Sequence, residues 1–333
     1  MSDLILALET SCDDTCAAVI TRGGEMRANV ISSQGIHDAY GGVVPEIASR
    51  HHLELVNAVV DDALGTAGAS LDDIDLVAVT QGPGLVGALL VGVATAKGIA
   101  AARGIALAPV DHLQGHVAAN LVAPNPFEPP FLCLIASGGH TLLVRVEEPG
   151  SFDVLGRTLD DAAGEAFDKG ARLLGLPFPG GPALQRLAEG GQRDAFAFPT
   201  AKNVRGLDFS FAGLKTSLLY ATRALGDEES ARRAADLAAA YQHAIVTQLV
   251  DRCAHALAAT GLDRLAIGGG VAANGPLRDA VTGLGARIHL PAMDLCTDNA
   301  AMIASAARFV TPLPFPDYLT LDAFATGEDP ALA

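Results

Sequence analysis

His112 and His116 stand four residues apart in Asp111-His-Leu-Gln-Gly-His116. On a helix that spacing puts both rings on one face, one turn apart. Two neutral imidazoles so placed can chelate one transition metal and leave positions for a third protein ligand and a substrate. Asp111 can either orient a ring or cap the helix from its first position. An ordinary pair of surface or cap histidines fits the same residues. A zincin peptidase would need His-Glu-x-x-His with the glutamate as base, and position 113 is leucine. That substitution argues against peptidase chemistry.

The elements that must position this pair are readable on both sides of it. Ile105 to Val110 has the run of a strand, feeding the histidine helix. Upstream, Leu4 to Glu9 and Cys16 to Ile20 read as two strands around the polar turn Thr-Ser-Cys-Asp-Asp-Thr. Val44 to Leu64 is helical by the spacing of Ile47, His51, Leu55, Val59 and Ala63. On that spacing His51 and His52 are expected to be structural or surface residues. Leu76 to Thr80 is a strand that runs through Gln-Gly-Pro-Gly into a small-residue helix, Leu85 to Ala102. The apolar run Gly84 to Ala96 stops at Lys97, short of a bilayer span, so a buried helix is expected and no membrane association.

Four prolines in Pro124-Asn-Pro-Phe-Glu-Pro-Pro130 mark a stiff linker. Beyond it the pattern restarts. Phe131 to Ala136 is a strand, Ser-Gly-Gly-His-Thr a turn, and Leu142 to Val146 a strand. Arg264 to Ile267 then leads through Gly268-Gly-Gly-Val-Ala-Ala-Asn274 into a helix. The chain therefore carries an internal duplication of architecture, its second copy longer by about 60 residues. Two α/β lobes offering glycine turns toward a shared cleft form a nucleotide-binding layout, since turn N–H groups can cradle phosphates. Neither GxxxxGK[ST] nor GxGxxG stands at a strand–helix junction, which removes the P-loop and Rossmann readings.

Composition bounds the rest. The 333 residues suffice for two domains, and a half-hydrophobic composition allows a large core. Met-Ser-Asp-Leu has no basic n-region and does not read as a signal peptide, so a cytoplasmic protein is expected. The five cysteines include no CxxC pair and are expected to be small buried residues in a reducing compartment. The net charge of −16 argues against nucleic acid when taken whole. Lys169 to Arg233 nevertheless carries ten Lys/Arg against six Asp/Glu, a local candidate for polyanion contact or else a solvated helical face.

Nine stretches together resemble one family. They are Glu9-Thr-Ser-Cys-Asp-Asp-Thr15, Gly41-Gly-Val-Val-Pro-Glu-Ile-Ala-Ser-Arg-His51, Gly82-Pro-Gly-Leu85, His112-Leu-Gln-Gly-His116, Ser137-Gly-Gly-His-Thr141, Asp160 to Lys169, Pro179-Gly-Gly-Pro182, Gly268 to Asn274 and Cys296-Thr-Asp-Asn299. In this order they are similar to the tRNA N6-adenosine threonylcarbamoyltransferases, relatives of actin, sugar kinases and heat-shock chaperone ATPases. The resemblance implies an α/β fold of two duplicated actin-like (ribonuclease H-like) lobes with a nucleotide and metal cleft between them. Residues 1–123 would form the first lobe, completed by 298–333. Residues 131–297 would form the second, with a helical basic insertion at about 161–233.

The same resemblance implies an acyltransferase that moves the threonylcarbamoyl group of threonylcarbamoyl-AMP to N6 of adenosine 37 in tRNA. Its metal ligands would be His112, His116 and Asp298, holding one divalent ion, Fe(II) or alternatively Zn(II). Substrate and nucleotide contacts would come from Ile135, Ala136, Ser137, Gly138, Gly139, Asp168, Gly181 (or its neighbour Gly180) and Asn274. Asp13 is a candidate partner for the attacking amine. ATP, ADP or AMP could occupy the cleft, and TsaB- and TsaE-like companion subunits are implied partners. Where many members carry Met-Glu-Gly inside the histidine motif, this chain has Leu-Gln-Gly, so Gln114 cannot act as an ionised base. A small-molecule kinase or ATP-switch scaffold of the same superfold is the alternative; neither needs the three metal ligands together.

Several residues also have bland readings. Asp160, Asp161 and Glu165 open a helix and complement its dipole. Asp168 beside Lys169 reads as a surface ion pair, His140 as a turn histidine, and Asn299 as the cap of a helix over Ala300 to Phe309. The tail Pro312 to Pro316 is expected to pack back on a lobe.

Overall fold

The computed structural model describes residues 3–201 and 204–325. Lys202 of the basic stretch and the end of the expected first lobe, 326–333, lie outside the described residues.

Near-continuous Val, Ile, Leu and Ala runs form strands buried on both faces. β1 (Leu4–Glu9) and β2 (Asp14–Thr21) make an antiparallel hairpin that pairs Glu9 with Cys16. β3 (Met26–Ser33) extends it, and β4 (Ile74–Gly82) and β5 (Ala106–Asp111) add on in parallel. The sheet order is β3-β2-β1-β4-β5. After the proline linker, β6 (Phe131–Ala136), β7 (Thr141–Val146), β8 (Asp153–Arg157), β9 (Arg264–Gly268) and β10 (Arg287–His289) form a second sheet ordered β10-β9-β6-β7-β8. Replacing β6 to β10 by β1 to β5 reproduces the first order. Parallel and antiparallel pairings match position by position. The duplication thus exists at the level of sheet topology.

Helices cover the sheets. α1 (Pro45–Ala67) and α2 (Val86–Arg103) pack one face of the first sheet through Val56, Val60, Val93 and Ala96. α2 is long and apolar enough to cross a membrane, yet a third of its span is buried in this fold. The expectation of a buried helix needs correction here. Ala88, Leu89, Val93, Ala96 and Ala100 face the core, while Val86 and Leu90 are exposed. α3 (His112–Ala118) follows β5 directly. Between β8 and β9 stand α4 (Ala163–Leu173), α5 (Gly180–Ala188), α6 (Ala212–Leu225), α7 (Asp227–Arg232) and α8 (Ala234–Thr260). α9 (Gly275–Thr282) joins β9 to β10, and α10 (Ala300–Ala307) comes last.

All eight residues of α10 are buried, against Ile5, Ala7 and Ala78 on the free face of the first sheet. The first sheet is therefore closed by a helix from the far end of the sequence. The tail then pairs Leu313 with Leu107 in both directions, at 3.0 and 2.8 Å, which packs it on the first sheet as expected.

α3 is wedged between the two halves. Leu113 and Val117 pack on Phe131, Cys133 and Ile135 of the second sheet. On its other side a Cβ at Gly115 would stand 2.8 Å from Ile303 Cδ1 of α10, so any larger residue there requires that side chain to shift.

Candidate metal and substrate centre

The end of β5 starts the site. Asp111 Oδ1 accepts from Gln114 N at 2.9 Å and caps α3, which settles its role as a cap. The carboxylate on the His112 ring belongs instead to Glu9, at the end of β1. Glu9 Oε2 lies 3.0 Å from His112 Nδ1, with the Glu9 side chain fully buried. Asp298 enters from the turn before α10, which Asn299 caps by accepting from Met302 N at 2.9 Å. Asp298 Oδ1 stands 3.5 Å from His112 Nε2 and 3.4 Å from His116 Nε2. One ligand atom from each of His112, His116 and Asp298 lies within 4.8 Å of the others.

Charge is concentrated here. Burial works against an ionised Asp298, yet the facing His112 and His116 hold its carboxyl well below the usual range. Burial works against a protonated His112 too, but Asp298 and Glu9 raise it to about 9. His116 is pushed down by burial, and the neighbouring His112 charge adds to the shift. His140 is pushed down to about 4 by burial and by the same two histidines.

The donor set fits a metal. Both ring nitrogens of His116 are buried with no hydrogen-bond partner. Leaving such a group unsatisfied costs about 1–3 kcal/mol. Bonds of about 2.0–2.2 Å in a tetrahedral or octahedral shell set ligand atoms roughly 3.0–3.5 Å apart, and the two His–Asp distances of 3.5 and 3.4 Å match.

Beside the cluster lies the β6–β7 turn. Ile135 and Ala136 are buried in β6 and paired to Leu142 and Thr141. Their side chains serve the core, and what they offer the site is the position of the turn that follows. Ser137 Oγ accepts from His140 N at 3.1 Å. A Cβ at Gly138 or Gly139 would meet nothing within 4 Å, so the turn opens onto free space. The N-terminus of α4 abuts it, with Gly164 N donating to Ser137 O at 3.0 Å.

Asp13 sits in the β1–β2 turn. His52, fully buried, braces both ends of this turn, with Nδ1 2.8 Å from Thr15 Oγ1 and Nε2 3.0 Å from the Cys12 carbonyl. Across the cleft, Asp168 on α4 does not pair with Lys169. Its Oδ1 accepts from Gly180 N at 2.8 Å at the start of α5. Burial raises its carboxyl, and the Gly180 and Gly181 amides oppose that rise. Lys169 pairs instead with Asp161 at 2.6 Å and Glu165 at 3.0 Å. Asp160 accepts from Ser210 Oγ, Phe211 N and Ala212 N and so serves the start of α6. Gly180 packs against Asp168 and Ala171, while a Cβ at Gly181 would meet only Phe167, at 4.0 Å, so of the two candidates Gly181 has the room to meet a ligand. Asn274 caps α9 through Leu277 N at 3.0 Å, and its Nδ2 donates to Gln185 and Gln242.

Comparison with known proteins decides the family. A sequence profile described as tRNA N6-adenosine threonylcarbamoyltransferase matches residues 25–305. The enzyme of that name from Clostridium perfringens (strain SM101 / Type A) is 49% identical over 312 residues, covering 92% of each chain. This chain belongs to the tRNA N6-adenosine threonylcarbamoyltransferase family. Its fold is also that of the activator of the 2-hydroxyisocaproyl-CoA dehydratase from Clostridium difficile, with TM-score 0.52, 15% identity and 93% and 94% of the two chains covered. HypF from T. kodakarensis matches with TM-score 0.61 and 15% identity over 91% of this chain and 47% of its own. These distant likenesses, with the repeated sheet order, establish the duplicated actin-like fold.

Within the family frame, the departure at position 114 has a structural reading. Gln114 points away from the two histidines and lines a small inter-lobe crevice with Gly150, Ser151, Phe152 and Ala306. Sequence reasoning missed Glu9 as a support. Glu9 had one signal available, a charged residue closing an otherwise apolar strand. His52, expected to be structural or surface, is structural: it falls on the buried stripe of α1 with Ala48, Val56 and Val60.

Proposed function

We propose that this protein transfers the threonylcarbamoyl group of threonylcarbamoyl-AMP to N6 of adenosine 37 in tRNA, in the cytoplasm and together with companion subunits. The observation that carries the reading is the meeting of His112, His116 and Asp298 beside the open Ser137 to Gly139 turn. His112, His116 and Asp298 would hold one divalent ion, Fe(II) or alternatively Zn(II). Such an ion supplies Lewis acidity that polarises a carbonyl.

The remaining work falls to the chain's own residues. The amine attacks the carbamoyl carbon, a C–N bond forms, the C–O bond to phosphate breaks, and AMP departs. N–H groups of the Gly138–Gly139 turn would receive the charge that develops on that phosphate. Gly181 offers a second open approach, and ATP or ADP could use the same cleft. Asp13 would take the proton lost by N6. The braces from His52 and from Gln34 N, which donates to the Asp13 carbonyl at 3.1 Å, hold that turn in place.

A surface on α6 suits the tRNA. Lys215, Thr216, Tyr220 and Arg223 fall on its exposed side, Tyr220 is 63% accessible, and the helix contains no acid. Cationic side chains with an exposed ring are the ordinary means of holding a phosphate backbone and a base. The test is direct. Purified protein with threonylcarbamoyl-AMP, unmodified tRNA and Fe(II) or Zn(II), with and without companion subunits, should yield the modified nucleoside by mass. No product under any combination overturns the reading.

A further inference from the structure

The Glu9 carboxylate is nowhere among the expected site residues, yet it is held by three polar partners beside the cluster. Its Oε1 accepts from the Ser11 backbone N–H at 2.5 Å. Its Oε2 accepts from Thr80 Oγ1 at 2.6 Å and lies 3.0 Å from His112 Nδ1. The residue is fully buried. Ser11 Oγ, at 3.3 Å from the same Nδ1, is the more distant competitor.

We propose that Glu9 is a positioning residue for the metal centre: it fixes His112 as the Nδ1–H tautomer, so that the Nε2 lone pair faces Asp298 and His116. This rests on the reading of that trio as a metal site. The logic is one of donors and acceptors. A carboxylate can only accept, so Nδ1 opposite Oε2 must donate. The neutral ring then carries its lone pair on Nε2, the atom 3.5 Å from Asp298 Oδ1. Glu9 also contributes charge. With two neutral imidazoles, Glu9 and Asp298 supply two negative charges, which a divalent cation cancels inside a buried site.

Glu9→Gln makes the sharp test because the amide cannot satisfy the same partners. The Ser11 N–H is fixed backbone and demands an oxygen at the Oε1 position. The amide NH₂ must therefore occupy the Oε2 position, where the Thr80 hydroxyl can reverse to accept. Nδ1 must then accept as well, which moves the ring proton to Nε2 and blocks the ligand atom. The expected results are a switch of the neutral His112 ring, observed in metal-free protein above pH 9, from Nδ1–H to Nε2–H in its nitrogen NMR shifts, and a 10–100-fold loss of Zn(II) affinity by chelator competition. Thr80→Val, which removes one donor from Oε2, should weaken Zn(II) severalfold with the tautomer unchanged, and it covers the case in which Glu9→Gln fails to fold. An Nδ1–H tautomer retained in Glu9→Gln, or affinity within twofold of wild type, overturns the proposal. Wild-type protein that takes up no Zn(II) or Fe(II) overturns the metal reading instead, and the tautomer measurement still decides the role of Glu9.

Discussion

Arg172 Nη2 donates to the Gly41 carbonyl at 2.7 Å, joining residues 131 positions apart and tying α4 to the turn ahead of α1. Gly41 has φ 67°, so its carbonyl is presented by a backbone conformation that favours glycine. Asp168 lies one helical turn before Arg172 on α4, and the bond therefore links the Asp168 side of the cleft to the first lobe. Arg172→Ala should change the melting temperature little, because the bond is exposed. Hydrogen exchange should quicken in residues 35–44 and in α4. Unchanged exchange in both segments would remove this tie as a determinant of lobe closure.

A second expectation follows from the charge of His112. Its folded-state value, about 9, lies above the ordinary 6.5. Its stabilising contribution is thus fully present below 6.5 and is lost as pH rises through 9. Metal-free protein should lose stability across that window by up to about 3 kcal/mol. A ligating imidazole must be neutral, so metal affinity should rise over the same window, by up to about tenfold per pH unit. Thermal melts of metal-free protein and chelator competition from pH 6.5 to 9 measure the two trends. An affinity flat with pH contradicts the assignment.

The crevice location of Gln114 carries a third. Gln114→Glu restores the glutamate found in many family members while adding a carboxylate that faces Gly150 to Phe152. Zn(II) affinity should stay within about twofold, since the group sits on the opposite side of α3 from both rings. A tenfold gain would mean that this side chain reaches the metal cluster.

The α6 face gives the fourth. Lys215→Glu with Arg223→Glu should weaken tRNA binding and lower its salt dependence by about two phosphate contacts. Zn(II) affinity should not move. Filter binding between 50 and 200 mM salt supplies the slope, and identical slopes for variant and wild type would exclude this face.

Much of this architecture was legible because it rests on local pattern. The paired hairpins at Leu4 to Ile20 and Phe131 to Val146 announced themselves by apolar runs around polar turns, and the repeat of that arrangement announced the two lobes. The third strand of each lobe was not legible. Met26 to Ser33 is only partly buried, and its pairing to β2 is decided by tertiary contact. The histidine pair was visible from spacing, whereas Asp298 was named only through family resemblance. Nothing local distinguishes a ligand carboxylate from a turn aspartate. Partners of acidic residues were the least readable. Asp168, beside Lys169 in sequence, serves Gly180, and Asp160 serves the start of α6, because loops brought those amides closer than any helical neighbour.

Asp298 and α10 are among the last parts of the described chain to be synthesised, and both are needed near its beginning. At ~5–20 residues per second, His116 precedes Asp298 by roughly ten to forty seconds on the ribosome. During that interval the histidine pair lacks its carboxylate, and the face of the first sheet bearing Ile5, Ala7 and Ala78 lacks its cover. Completion of the first lobe and completion of the metal trio are therefore the same late event. A nascent chain interrupted before that point would present an apolar sheet face and an incomplete chelate together, a state that a chaperone or protease can recognise.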